Sequence, residues 1–196
     1  MSNTKIIITG ITKLDVDKLM NKIIHTDDSM NIIPKFTTNK DDESFYNKYL
    51  DVMTVNLSFK NNSLIYISTI NYISTGITTD DFLNNDVCFI DMKNFNNIPD
   101  KIFKDFDILV IWLDSKEVTL SNSDKIESKF FQERIMNLKY MYFLDDNLHT
   151  INEQIFRYLK ADEEEKKNIL EENSWKNYLI LLNFYTILTK INEIIW

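Results

Sequence analysis

Gly10-Ile-Thr-Lys-Leu-Asp15-Val16-Asp17 lies between an apolar β-branched run, Lys5 to Thr9, and a stretch with Leu14, Val16, Leu19, Met20, Ile23 and Ile24 at helical spacing. A strand, a glycine and a helix in that order can turn backbone N–H groups toward a phosphate, and the positive end of the helix dipole favours the anion. The loop that does this reads G-x-x-x-x-G-K-[ST]. Here the first glycine is Gly10, but the second glycine position holds Asp15, the lysine position Val16 and the hydroxyl position Asp17. Two carboxylates stand where phosphate oxygens would be received, and they repel an anion. Gly10, Thr12 and Lys13 are the remnant of a phosphate site; Lys13 and Lys18 either pair weakly with an anion or are solvated surface lysines.

Other reactive side chains are sparse. His25 and His149 have no Cys or His at ligand spacing, so no zinc site is expected. Asp91 and Asp114 each follow an apolar strand, at the edge where open α/β sheets bind ligands; they suit either a metal or the capping of the next helix, and capping is the reading taken, with no metal assigned. No G-x-S-x-G, Cys/His or H-E-x-x-H arrangement occurs. Phosphoryl transfer rests on positioning and on cations around anionic oxygens, and arginine's planar fork is the best clamp for them. Arg134 and Arg157 are the only arginines, too few to serve two nucleotides.

The elements that would position these residues follow from periodicity. Lys5 to Thr9, Asp86 to Asp91, Asp107 to Leu113 and Tyr140 to Leu144 read as buried strands, interleaved with helices at Asp15–Ile24, Asp124–Leu138 and Leu148–Leu159. Val52 to Phe59 and Leu64 to Ile70 alternate around Lys60–Ser63 and read as an antiparallel hairpin. Thr78 to Leu83 reads as a short capped helix. The expected fold is α/β: a parallel sheet flanked by helices, a small antiparallel insertion at about 31–78, and a C-terminal helical extension. The domain so defined spans 1–160 and the extension 161–196.

The chain has 196 residues, 44% of them hydrophobic and 13% aromatic, which suits a folded domain with a real core. Two glycines, two prolines and an abundance of Asn, Ile and Lys point to AT-rich coding, as in a virus, a plasmid or an AT-rich microbe. A net charge of −8 excludes a nucleic-acid backbone binder acting alone. The single Cys88 and the absence of a signal-peptide pattern predict a cytoplasmic protein, virion association included.

The order of segments up to about residue 160 resembles the guanylate kinase family. Ile7-Ile-Thr-Gly10 with the following loop and helix resembles its strand and P-loop, and Lys35-Phe-Thr-Thr-Asn39 its S-H-T-T-R segment. Tyr72 to Thr79 resembles N-Y-Y-G-T-S, Asn85 to Asp91 resembles G-K-D-V-I-L-D, and Tyr142 to Asp146 resembles V-I-V-N-D-D. The resemblance implies that Thr37, Thr38, Thr78 and Asp91 survive from the family's nucleotide site, with Tyr46 as a phosphate-contacting tyrosine. It also implies that much is lost. Asn39 stands for one arginine and Asp41 or Asp42 for a second, Tyr66 for the base-reading glutamate and Lys35 for a serine, and the segment from Asp114 to Tyr140 is short for the family's lid.

Trp175 to Trp196 is densely apolar, with an apolar core, Tyr178 to Leu188, that is too short to span a bilayer and is interrupted by Asn183 and Thr186. A helix apolar around most of its circumference is buried on more than one side. It packs on its own domain, joins a partner or associates with a membrane; the partner reading places Trp175, Leu179, Leu182, Tyr185, Leu188 and Trp196 on the interface, with no membrane involved. The combined expectation is a catalytically inactive guanylate kinase-like domain without cofactor, serving as an interaction or structural subunit through a protein partner or its own copy. The alternative is a divergent, active nucleotide kinase or a nucleotide-binding regulator.

Overall fold

The computed structural model describes residues 4–10, 14–26, 29–43, 46–115, 122–144, 147–177 and 179. In chain order the elements are β1 (Lys5–Gly10), α1 (Val16–Thr26), β2 (Lys35–Thr37), a 3-10 turn (Lys40–Asp42), β3 (Asn47–Tyr49), α2 (Val52–Lys60), β4 (Leu64–Ile70) and β5 (Ile73–Thr78). There follow α3 (Thr79–Asn84), β6 (Val87–Phe89), α4 (Met92–Asn96), α5 (Asp100–Asp105), β7 (Ile108–Asp114), α6 (Asn122–Ile135), β8 (Tyr140–Leu144), α7 (Leu148–Lys160) and α8 (Glu163–Glu172).

The main sheet has the order β6-β1-β7-β8, and every neighbouring pair is parallel. Its central strands are apolar on both faces because both are covered, as parallel sheets require. Ile6 and Ile8 face Leu19, Ile23, Ile151 and Ile155 of α1 and α7, while Ile7 faces the opposite core with Cys88, Val110 and Trp112. A charged residue opens β1, and it too is buried. The Lys5 ammonium donates to the carbonyls of Leu83 and Asn85, at the C-terminal end of α3 where the helix dipole favours a cation.

A second sheet, β3-β2-β5-β4, is built from residues 35–78. β4 and β5 are antiparallel around Asn71 and Tyr72, both at positive φ, the conformation of a two-residue type I′ turn. β2 is antiparallel to β5 but parallel to β3. The two sheets share a core: Ile65, Tyr66 and Ile77 pack with Ile7, Cys88 and Ile90.

One expected element has the wrong type. Val52–Phe59 is helix α2, not the first strand of a hairpin. The Asp51 carboxylate accepts from the Thr54 N–H and hydroxyl, starting a helix that needs only Val55 buried. Lys60–Ser63 is accordingly the exit of that helix, and the hairpin turn lies ten residues later at Asn71-Tyr72. Past residue 160, α8 is capped by Asp162, buries Ile169 in the α1–α7 core and leads to Asn173, whose carbonyl accepts from the Tyr142 N–H along the outer edge of β8. Among the described residues no helix is long and apolar enough to cross a membrane.

Candidate functional site in the cleft between the sheets

The carboxyl ends of β1 and β6 meet the second sheet in a cleft. Gly10 and Asp91 lie on the main-sheet side, Thr37, Thr38 and Thr78 on the other. The remnant residues are thus divided between the two sheets. Their side chains, however, serve the local backbone. Gly10 has φ +117°, and a Cβ there would come within 1.9 Å of the Leu113 carbonyl oxygen, so the strand packing alone requires glycine. Thr37 accepts from the Asn39 N–H at 3.1 Å, and Thr38 accepts from the Ser74 N–H at 2.8 Å. Thr78 caps α3, accepting from the Asp81 N–H and donating to its carboxylate. Asp91 caps α4 through the Asn94 N–H and takes a second bond from the Asn94 amide. Thr12 and Lys13 lie outside the described residues.

At the mouth of α1, Asp15 accepts from the Lys18 N–H and caps the helix, so a carboxylate satisfies the amide that a phosphate would otherwise use. Asn39 turns its side-chain oxygen to the Asp41 N–H and starts the 3-10 turn. Asp114 does not cap a described helix; it accepts from the Ser115 N–H and from the Tyr142 hydroxyl.

Tyr66 fills the junction of the two sheets. Its ring is buried among Ile65, Ile77 and Ile90, and burial, with Cys88 and Asp91 nearby, pushes its phenol well above the usual tyrosine range. Beside it Gly76 leaves no room for a side chain, since a Cβ would meet the Tyr66 carbonyl at 2.2 Å and the Phe36 ring at 2.8 Å. The open space left near the α1 end is a cavity of about 170 Å³ lined by Asp17, Met20, Ile32, Ile33, Lys35, Tyr46, Asn47 and Phe89. Lys35 lies over the Phe89 ring at 5.7 Å, Asp17 lines the same cavity, and the Tyr46 hydroxyl accepts from the Asn21 amide. That volume falls below the roughly 300 Å³ at which small-molecule pockets begin.

Neither arginine reaches the cleft. The Arg134 guanidinium donates to the carbonyls of Phe95, Asn96 and Ile98 and to the Asp100 carboxylate, tying α6 to the α4–α5 turn. Arg157 pairs with Glu165 and Glu172, joining α7 to α8. The C-terminal residues offered for an interface divide. Trp175 turns inward and stacks on Trp112 with ring centroids 6.2 Å apart. Leu179 is half-buried, and Leu182, Tyr185, Leu188 and Trp196 lie outside the described residues. Sequence reasoning did not find the Tyr66 plug, the Arg134 clamp or the Lys5 clamp; the one visible signal was a lysine opening an otherwise apolar strand.

The sequence matches no family model and no curated protein. Among solved structures it is similar to the guanylate kinase from Anaplasma phagocytophilum, with a TM-score of 0.53 and 11% identity over 82% of this chain and 87% of that one. The likeness is one of fold.

Proposed function

We propose that this chain uses a guanylate kinase-like fold as a protein-interaction or structural subunit and carries out no nucleotide chemistry. The observation that carries the reading is the state of the cleft. Tyr66, which the resemblance sets close to the base-reading position, is a buried ring, and the cavity at the α1 end holds about 170 Å³ with both Lys35 and Asp17 in its lining. Both arginines are bound elsewhere. Transfer of a phosphoryl group needs cations around the moving oxygens and a geometry that holds two nucleotides in line. The polar groups of this cleft hold the protein's own backbone instead.

The direct test is turnover. Purified chain incubated with radiolabelled ATP, magnesium and GMP, dGMP or other nucleoside monophosphates yields no diphosphate above a no-enzyme control. Steady production of a diphosphate, abolished by a change in the cleft such as Lys35→Ala, establishes the divergent kinase instead.

A further inference from the structure

Open sheet edges expose unpaired backbone groups, and proteins cover them or blunt them with charge. Three of the four edges here are managed. β6 is bridged by Asn31 to Ile33, β8 is capped by the Asn173 carbonyl, and β3 is three residues long and carries Lys48. β4 is the exception. It is seven residues long, and residues 61–79 contain no charged side chain in a molecule of net charge −8. Its outward groups follow from the hairpin. Ser74 bonds through both backbone groups to Thr38, so its partner Thr69 turns its N–H and C=O to the free edge. Two residues back the same alternation exposes those of Ile67, opposite Gly76. Among the described residues no backbone hydrogen bond from outside the hairpin reaches either.

A knob and a hole flank this strand. At the hairpin tip Tyr72 is 98% exposed and Ile70 67% exposed. Along the other half of β4 runs a groove of about 690 Å³ lined by Phe59, Leu64, Tyr66, Pro99, Ile102 and Phe106. We propose that β4 pairs antiparallel with β4 of a second copy of this chain about a two-fold axis through Ser68. That register sets Ile67 against the partner's Thr69 and Thr69 against the partner's Ile67, making four backbone hydrogen bonds and one continuous eight-stranded sheet. It sets the partner's Ile70 opposite Tyr66, so the partner's Tyr72 continues beside Leu64 into the groove. The contact is isologous: each copy supplies the same knob and the same hole. Uncharged strands let two acidic chains meet on this face without repulsion, which favours the second copy over a basic peptide that would seek the acidic surfaces elsewhere.

The proposal rests on the interaction reading above, and its test is separate from nucleotide chemistry. Sedimentation equilibrium of the full chain, from about 1 to about 100 μM, yields a particle of twice 23.4 kDa. Ser68→Cys places two thiols across the axis in a non-hydrogen-bonded pair, whose Cα separation of about 4.5 Å suits a disulfide. Mild oxidation then converts most of that variant to a cross-linked dimer, while Lys48→Cys on the opposite edge does not cross-link. Tyr72→Asn keeps a residue that tolerates positive φ and removes the knob; Thr69→Pro removes an N–H the hairpin does not use. Each keeps the native circular dichroism and lowers the dimer fraction at least tenfold. The proposal is overturned if the native chain stays at 23.4 kDa throughout. It is equally overturned if Ser68→Cys cross-links in lysate to a different protein but not to itself, or if the dimer survives both edge variants. A monomer would leave the absence of nucleotide chemistry standing; a nucleotide bound by a dimer would leave the pairing standing.

Discussion

Gly10, Asp91 and Cys88 each have a role that a substitution can read. Gly10→Ala puts a methyl group against the Leu113 carbonyl at a positive φ, and is expected to cost roughly 2–4 kcal/mol in urea unfolding. Asp91→Ala loses the cap of α4 and about 1 kcal/mol, whereas Asp91→Asn stays within about 0.5 kcal/mol because Asn caps equally well. If Asn destabilised as much as Ala, the capping role would be wrong. Burial pushes the Cys88 thiol up to about 12 from an ordinary 9.0. The unfolded chain therefore releases this proton first as pH rises. The stabilising contribution is full below pH 9 and is lost between pH 9 and about 12, at no more than about 1.4 kcal/mol per pH unit. Burial lowers the Lys5 ammonium, so that group acts in the opposite sense, and the comparison of native chain with Cys88→Ala isolates the thiol. The stability of Cys88→Ala falls less steeply over that window in urea titrations at fixed pH; equal slopes would contradict the thiol's role.

Among the elements, α6 is joined to the α4–α5 turn by one side chain. Arg134→Ala removes one donor from each of three carbonyls and from the Asp100 carboxylate, and the guanidinium from above the Phe95 and Phe103 rings. With the side chain only 17% exposed, the expected loss is about 2–4 kcal/mol, and Arg134→Lys, unable to fork to four acceptors, recovers less than half. Buried strands were the part of the sequence easiest to read. Ile6-Ile-Ile8, Val87-Cys-Phe89, Ile108 to Leu113 and Met141-Tyr-Phe143 are continuous apolar runs because helices cover both faces. The segment at 52–59 misled because Val52, Val55 and Phe59 fit a helical period while neighbours also alternate; the deciding signal was Asp51 three residues before Thr54, a side-chain cap rather than a pattern of hydrophobicity. The hairpin turn was hidden as well, since Asn71-Tyr72 puts an aromatic residue at a φ usually left to Gly or Asn.

For the whole molecule, the fold is similar to that of a solved guanylate kinase at 11% identity. The departures from the family's motifs are legible in sequence as the residue types at Asp15, Val16, Asn39 and Tyr66. The structural roles those residues take were not, because capping, packing and backbone clamping depend on contacts between segments far apart in the chain. The central claim is that the cleft no longer receives a nucleotide, and ligand-linked stability tests it most directly. A ligand present at one hundred times its Kd adds about 2.7 kcal/mol, and for a chain of this size each 1 kcal/mol raises Tm by about 2–4 °C. Thermal unfolding of the full chain with magnesium and about 5 mM GMP, ATP or both would therefore move by at least about 5 °C for a site of about 50 μM affinity. The account predicts melting curves that superimpose with and without nucleotide; a saturable rise of that size, lost on replacing Lys35, would contradict it.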